Sequence, residues 1–138
     1  MSTELRPELS GKSKYWISKH RYYELKHFCL QYKSWKKELA HLSMPGGMPT
    51  DILLSQTNLP ADPVARAAIA REYLKDRIRV VETAAKISDP DLAPYILVGA
   101  TEGLSYDQQM AKGTVPCSRD TYYDRYRKFF FVLSNSRN

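Results

Sequence analysis

The chain has 138 residues, 43% hydrophobic and 26% charged, with a formal net charge of +6 and a pI near 9.3. That length fits one domain, or one domain with an arm, and the basic balance points toward a polyanionic partner. Two cysteines, Cys29 and Cys117, are too few for a disulfide framework, and no apolar run has the length of a membrane span.

The charge is uneven. Residues 1–42 hold nine Lys/Arg against four Asp/Glu, residues 43–117 seven against nine, and residues 118–138 five against two. The two ends are basic and the middle is not. With no h-region of a signal peptide at the start, the reading places the chain in a reducing cytoplasm.

Residues 1–15 are polar, with Pro7 and Gly11, and read as a flexible tail. An N-terminal helix is expected within residues 16–42, from an N-cap at Ser18 to Leu42. Its apolar side chains, Tyr22, Leu25, Phe28, Tyr32, Trp35, Leu39 and Leu42, recur at spacings of three and four. Such a stripe serves either a core helix or a self-association helix. Tyr22, Leu25, Phe28, Tyr32, Trp35 and Leu39 are the candidate self-association residues. Lys26, Lys33, Lys36 and Lys37 are interspersed and read as solvated.

Residues 43–61 form a linker, because Pro45, Gly46, Gly47, Pro49 and Pro60 exclude regular structure over most of it. Ile52, Leu53 and Leu54 are apolar enough to tack onto a neighbour. The Gly46-Gly47 pair is no phosphate loop, since no Gly-Lys-Ser/Thr follows it. Asp62-Pro63 is an N-cap followed by the favoured first-turn proline, and opens a second long helix to about Ile87. Asp89-Pro90 repeats the signature ahead of a helix of about ten residues that Gly103 ends.

Residues 90–134 then read as a helix-turn-helix within a helical domain spanning 62–138. A short helix runs from Tyr106 to about Ala111. A turn follows through Lys112, Gly113, Thr114, Val115 and Pro116. A longer helix opens at Cys117 or Ser118 and runs to about Leu133. Pro116 biases Val115 away from helical dihedrals, Ser118 can cap, and Asp120 suits the positive end of the helix dipole. Tyr122, Tyr126, Phe129, Phe130 and Leu133 line one face. The fold class expected is all-α: a long N-terminal helix and a C-terminal three-helix helix-turn-helix domain.

An arginine, a hydroxyl and short polar side chains on the first turn of a second helix are the chemistry that reads base edges. Arg119, Thr121 and Tyr123 are the candidates for bases, and Ser118, Arg125, Arg127 and Lys128 for phosphates. Asp120 and Asp124 oppose phosphate contact on the same face. An amphipathic helix that merely packs shows the same pattern, so that alternative stays open. His20, His27 and His41 lie on or beside one helix at spacings too long for one ion, and no metal set, cofactor loop or catalytic constellation is visible. The chain is therefore not read as an enzyme.

Three passages carry a resemblance to the ArpU/RinA-like regulators of Gram-positive phages and prophages. They are YYELKHFCLQYKSWKKEL, the linker and helix GGMPTD…LPADPVARAAIAREYLKDRI, and the closing VPCSRDTYYDRYRKFFFVL. The resemblance implies sequence-specific binding to double-stranded DNA and control of late phage genes. It maps the family's reading helix onto Ser118, Arg119, Thr121, Tyr122 and Tyr123. A departure is the triplet Phe129-Phe130-Phe131, whose outward-facing Phe131 suggests a contact with another subunit or with host RNA polymerase. Two other readings compete: a phage-encoded protein-interaction module that inhibits a host protein or nuclease, and the small DNA-recognition subunit of a packaging terminase, a ring oligomer.

Overall fold

A computed structural model describes residues 14–50, 53–54 and 58–137. The expected tail lies almost entirely outside the described residues, as does Ile52. Among the described residues all regular structure is helical, with no strand. The helices are α1 (Lys19–Cys29), α2 (Tyr32–Leu42), α3 (Pro63–Ser88), α4 (Ala93–Glu102), α5 (Tyr106–Lys112) and α6 (Arg119–Ser136). They divide into two compact units. The first is Met1–Gln31 with Val80–Asn138, the second Tyr32–Arg79.

The single helix expected over Ser18–Leu42 is two helices. Ser18 does cap the first, its Oγ accepting the Arg21 N–H at 3.1 Å. The helix stops at Leu30, whose N–H bonds back to the Lys26 and Phe28 carbonyls, and the chain turns through Leu30 and Gln31 without glycine or proline. The apolar stripe runs through this turn at unbroken spacing, yet it feeds two cores. Tyr22, Leu25 and Phe28 are buried in the first unit, and Tyr32 and Trp35 in the second, while Leu39 is half-buried. All the expected self-association residues but Leu39 are thus core residues covered by their own chain, because side chains of this size fill intramolecular space in both units.

In the first unit α1, α4 and α6 pack against one another. The Tyr22 and Phe130 rings meet edge to face at 5.0 Å, and Phe129, Phe130, Leu133 and Ile96 have no more than a trace of exposure. Arg21 closes the far end of α6. Its Nε donates to Ser134 Oγ at 3.0 Å, and its Nη2 donates to the carbonyls of Ser134, at 2.9 Å, and Arg137. These carbonyls belong to the last turn, which has no partners within the helix. Arg137 in turn lays its guanidinium 3.9 Å from the Phe28 ring centroid.

In the second unit the linker is organised around α2. Glu38 Oε2 accepts the Thr50 N–H at 3.1 Å, and Leu53 is buried as expected of that apolar cluster. Gly47 approaches so closely that a Cβ there would stand 2.3 Å from the His41 carbonyl oxygen. Asp62 caps α3 through the Ala65 N–H at 2.9 Å, with Pro63 in the first position.

Candidate nucleic-acid interface

The segment expected to form a helix-turn-helix comprises the three helices α4, α5 and α6, all in the first unit. Asp89 does not cap α4 directly. It forms a turn, its Oδ1 accepting the N–H of Asp91 at 3.0 Å and of Leu92 at 3.2 Å, and α4 starts three residues past Pro90. Gly103 ends α4 at φ 74°, the left-handed conformation that favours glycine. Two residues later Ser105 opens α5 with a capping box. The Gln108 N–H donates to Ser105 Oγ at 3.1 Å, and the Ser105 N–H donates to Gln108 Oε1 at 2.8 Å. The signature Ser-x-x-Gln stands in the sequence and would have placed this start. The turn is pinned by Val115, buried beside Met110, and α6 begins at Arg119 with Ser118 as its N-cap. The start is the expected one, and the helix continues three residues past Leu133 to Ser136.

Tyr122 joins the three helices. Its hydroxyl accepts from Gln109 Nε2 of α5 at 3.1 Å and donates to the Tyr95 carbonyl of α4 at 3.3 Å. Burial raises this phenol above its ordinary range, so the hydroxyl keeps the proton that it donates. The resemblance mapped Tyr122 among the residues that read DNA. It is fully buried, at 0% exposure, because its ring fills the space between α4 and α6.

The remaining candidates divide by position. Ser118, Arg119 and Thr121 are all exposed on the opening turn. Ser118 Oγ accepts the Thr121 N–H at 3.2 Å and lies 3.0 Å from Thr121 Oγ1. Arg119 pairs with Asp107 of α5 and lies over the Tyr106 ring at 5.6 Å. Both partners of that pair are about half exposed, 52% and 53%, so water screens it and the guanidinium is exchangeable. Tyr123 is half-buried and its hydroxyl accepts the Tyr106 N–H at 3.2 Å, at the start of α5. It acts there as a structural cap.

Arg125 lies apart from the opening turn. Its Nε donates to Asp89 Oδ2 at 3.2 Å and its Nη1 to the Asp124 carboxylate. Arg127 and Lys128 are half-buried farther along α6 and form no ion pair among the described residues. The helical period puts positions 119, 123 and 127 in one row and 121, 125 and 128 in another, with Asp120 and Asp124 between them. Phe131, expected on the outward face, is half-buried with its ring 5.8 Å from that of Tyr15.

A cleft of about 330 Å³ lies beside this arrangement, lined by Tyr95, Val98, Leu104, Gln109, Lys112, Gly113 and Thr114. It includes none of the exposed residues of the opening turn. Among the described residues no group of three or more His, Cys, Asp or Glu side chains could hold a metal ion, and no helix is long and apolar enough to cross a membrane. No family model matches the chain, and neither the curated proteins nor the solved structures contain a match to it.

Proposed function

We propose that this chain is a sequence-specific DNA-binding regulator of transcription, of the ArpU/RinA-like phage and prophage kind, and that it reads DNA with the opening of α6. The observation that carries the reading is the contrast along that helix. Tyr122, Tyr126, Phe129, Phe130 and Leu133 anchor it in the core, while its capped first turn stands in solvent with Arg119 and Thr121 exposed on either side of Asp120. A rigid helix with an exposed N-terminal turn is the element that enters a major groove, and arginine there can donate two hydrogen bonds to a guanine edge. In this reading Arg119 and Thr121 approach bases, Ser118 and the half-buried Arg127 and Lys128 approach phosphates, and the chain performs no reaction.

One observation favours a second reading, a module that binds a host protein. Asp107, Asp120, Asp124 and Asp89 stand among the cations of α6 and offset much of their charge. Fluorescence-anisotropy binding separates the two. The probes are a duplex from the DNA upstream of the chain's own gene and a shuffled duplex of the same composition, each at low and moderate salt. Preference for the native duplex that survives moderate salt supports the regulator. Absence of binding, or equal binding that vanishes with salt, transfers the reading to the protein partner.

A further inference from the structure

We infer that the outward face of α2 is a second DNA contact surface, one that grips the phosphate backbone without regard to sequence. The inference rests on the DNA-binding reading in taking DNA as the polyanion, but on different residues in the other compact unit.

Tyr32, Trp35 and Leu42 bury one side of α2. Lys33, Lys36 and Lys37 stand exposed on the other, with Ser34, Ala40 and His41 around them. At 3.6 residues per turn the three lysines fall within an arc of about 100°. The helix holds one carboxylate, Glu38, and that group is turned to the linker, where it accepts the Thr50 N–H at 3.1 Å. The Lys36 ammonium lies over the Tyr32 ring at 5.4 Å from its centroid, a cation–π contact that leaves the residue exposed to solvent. Among the described residues Lys36 and Lys37 form no ion pair, whereas on α6 Arg119 and Arg125 each meet a carboxylate.

The composition of the face selects the partner. Protein interfaces are enriched in aromatic side chains and arginine and depleted in lysine. Within α2 the exposed residues are lysines, short polar or small side chains and a histidine, with no exposed aromatic. Compact ammonium groups among short neighbours suit phosphate oxygens, which demand charge and close approach and carry no base information. A chain whose base-reading helix is partly neutralised by its own aspartates needs such a source of non-specific affinity.

The test uses the full chain and the double variant Lys36→Gln/Lys37→Gln, with the native and shuffled duplexes titrated across a salt series. The expected result is a loss of affinity by the same factor for both duplexes. The slope of log Kd against log salt should fall by about 1.8, or about 0.9 for each phosphate contact removed, with the native-to-shuffled ratio unchanged. Lys36→Arg/Lys37→Arg should keep the wild-type slope, and equal thermal melts of all three proteins exclude a folding defect. An unchanged slope, or a loss confined to the native duplex, overturns the inference. If the wild-type chain binds both duplexes equally and the lysine variant still lowers the slope, the sequence-specific reading falls and the α2 surface stands. If the wild-type chain binds neither duplex, both fall.

Discussion

The hydroxyl of Tyr122 occupies the place that a side chain at position 99 would need: a Cβ on Gly99 would come within 2.2 Å of that oxygen. The oxygen cannot swing away cheaply, since it bonds both Gln109 and the Tyr95 carbonyl and its ring is buried. Gly99→Ala should therefore destabilise the chain despite alanine's better helix propensity. Overpacking costs about 1–3 kcal/mol, and the propensity gain of about 1 kcal/mol offsets part of it. Urea denaturation of Gly99→Ala, Tyr122→Phe and the double variant checks this. The double variant should be less destabilised than the two singles summed, because removing the hydroxyl relieves the clash. Simple additivity would show that the close approach does not matter.

Arg119 is held by Asp107 rather than projecting freely, and this gives the DNA-binding reading a second handle. Arg119→Ala should weaken binding to the native duplex by roughly 5- to 150-fold and weaken shuffled DNA much less. Asp107→Asn should act in the opposite direction, with a severalfold gain in affinity, because it frees the guanidinium and removes a charge that repels phosphate. Both effects are read by anisotropy at fixed salt. Equal losses on both duplexes for Arg119→Ala would confine that residue to the backbone.

The grip of Arg21 on the end of α6 predicts a stability effect far from any DNA contact. Arg21→Ala leaves the carbonyls of Ser134 and Arg137 without their charged donor. Hydrogen bonds to charged groups contribute roughly 1.5–3 kcal/mol, and partial exposure of this side chain places the expected loss near the lower end. Arg21→Lys should recover only part of it, since an ammonium lacks the fork that reaches three acceptors. Thermal melts of the three proteins decide the order.

Alkaline pH should unfold the chain sooner than its surface charge alone would suggest. Burial raises the Cys29 thiol and the Tyr126 phenol well above their ordinary ranges. Below about pH 8.5 both groups keep their protons in either state and the stabilisation is whole. At higher pH the unfolded chain gives up protons that the folded chain retains, first from cysteine and then, near pH 10, from tyrosine. Stability should fall through this window by up to about 1.4 kcal/mol per pH unit for each such group. Melting temperatures from pH 8 to pH 11 follow the fall, and Tyr126→Phe should make it shallower above about pH 10, where the buried Tyr122 phenol still contributes.

The local signals in the sequence were sound where a single residue type decides the backbone. Ser18, Asp62, Gly103 and Ser118 each sit at the helix end expected of them, because capping depends only on a side chain and its own next turn. The turn at Leu30 and Gln31 had no such signal. The apolar spacing from Phe28 to Tyr32 to Trp35 is the same for one helix as for two, and periodicity reports that a face is apolar without reporting what covers it. The same limit hid the fate of Tyr123. A tyrosine one position into the outward row looks available for a base, and only the distance to the Tyr106 N–H shows that its hydroxyl is committed. The exposed cluster of Ser118, Arg119 and Thr121 was legible, since the first turn of a capped helix has little to bury against. Its ion pair with Asp107, twelve residues away, was not.

The bonds from Arg21 to Ser134 span 113 positions, so they also set a sequence in time. A ribosome making this chain exposes α1 early, with its buried face for the first unit unmatched until α4 and then α6 have been synthesised. The second unit, Tyr32–Arg79, is continuous in the chain and can close while α4 to α6 are still being made. At roughly 5–20 residues per second, that leaves α1 waiting for several seconds after its own synthesis with Tyr22, Leu25 and Phe28 uncovered. These three side chains make α1 the segment of a nascent molecule that a chaperone or a second nascent chain would meet first.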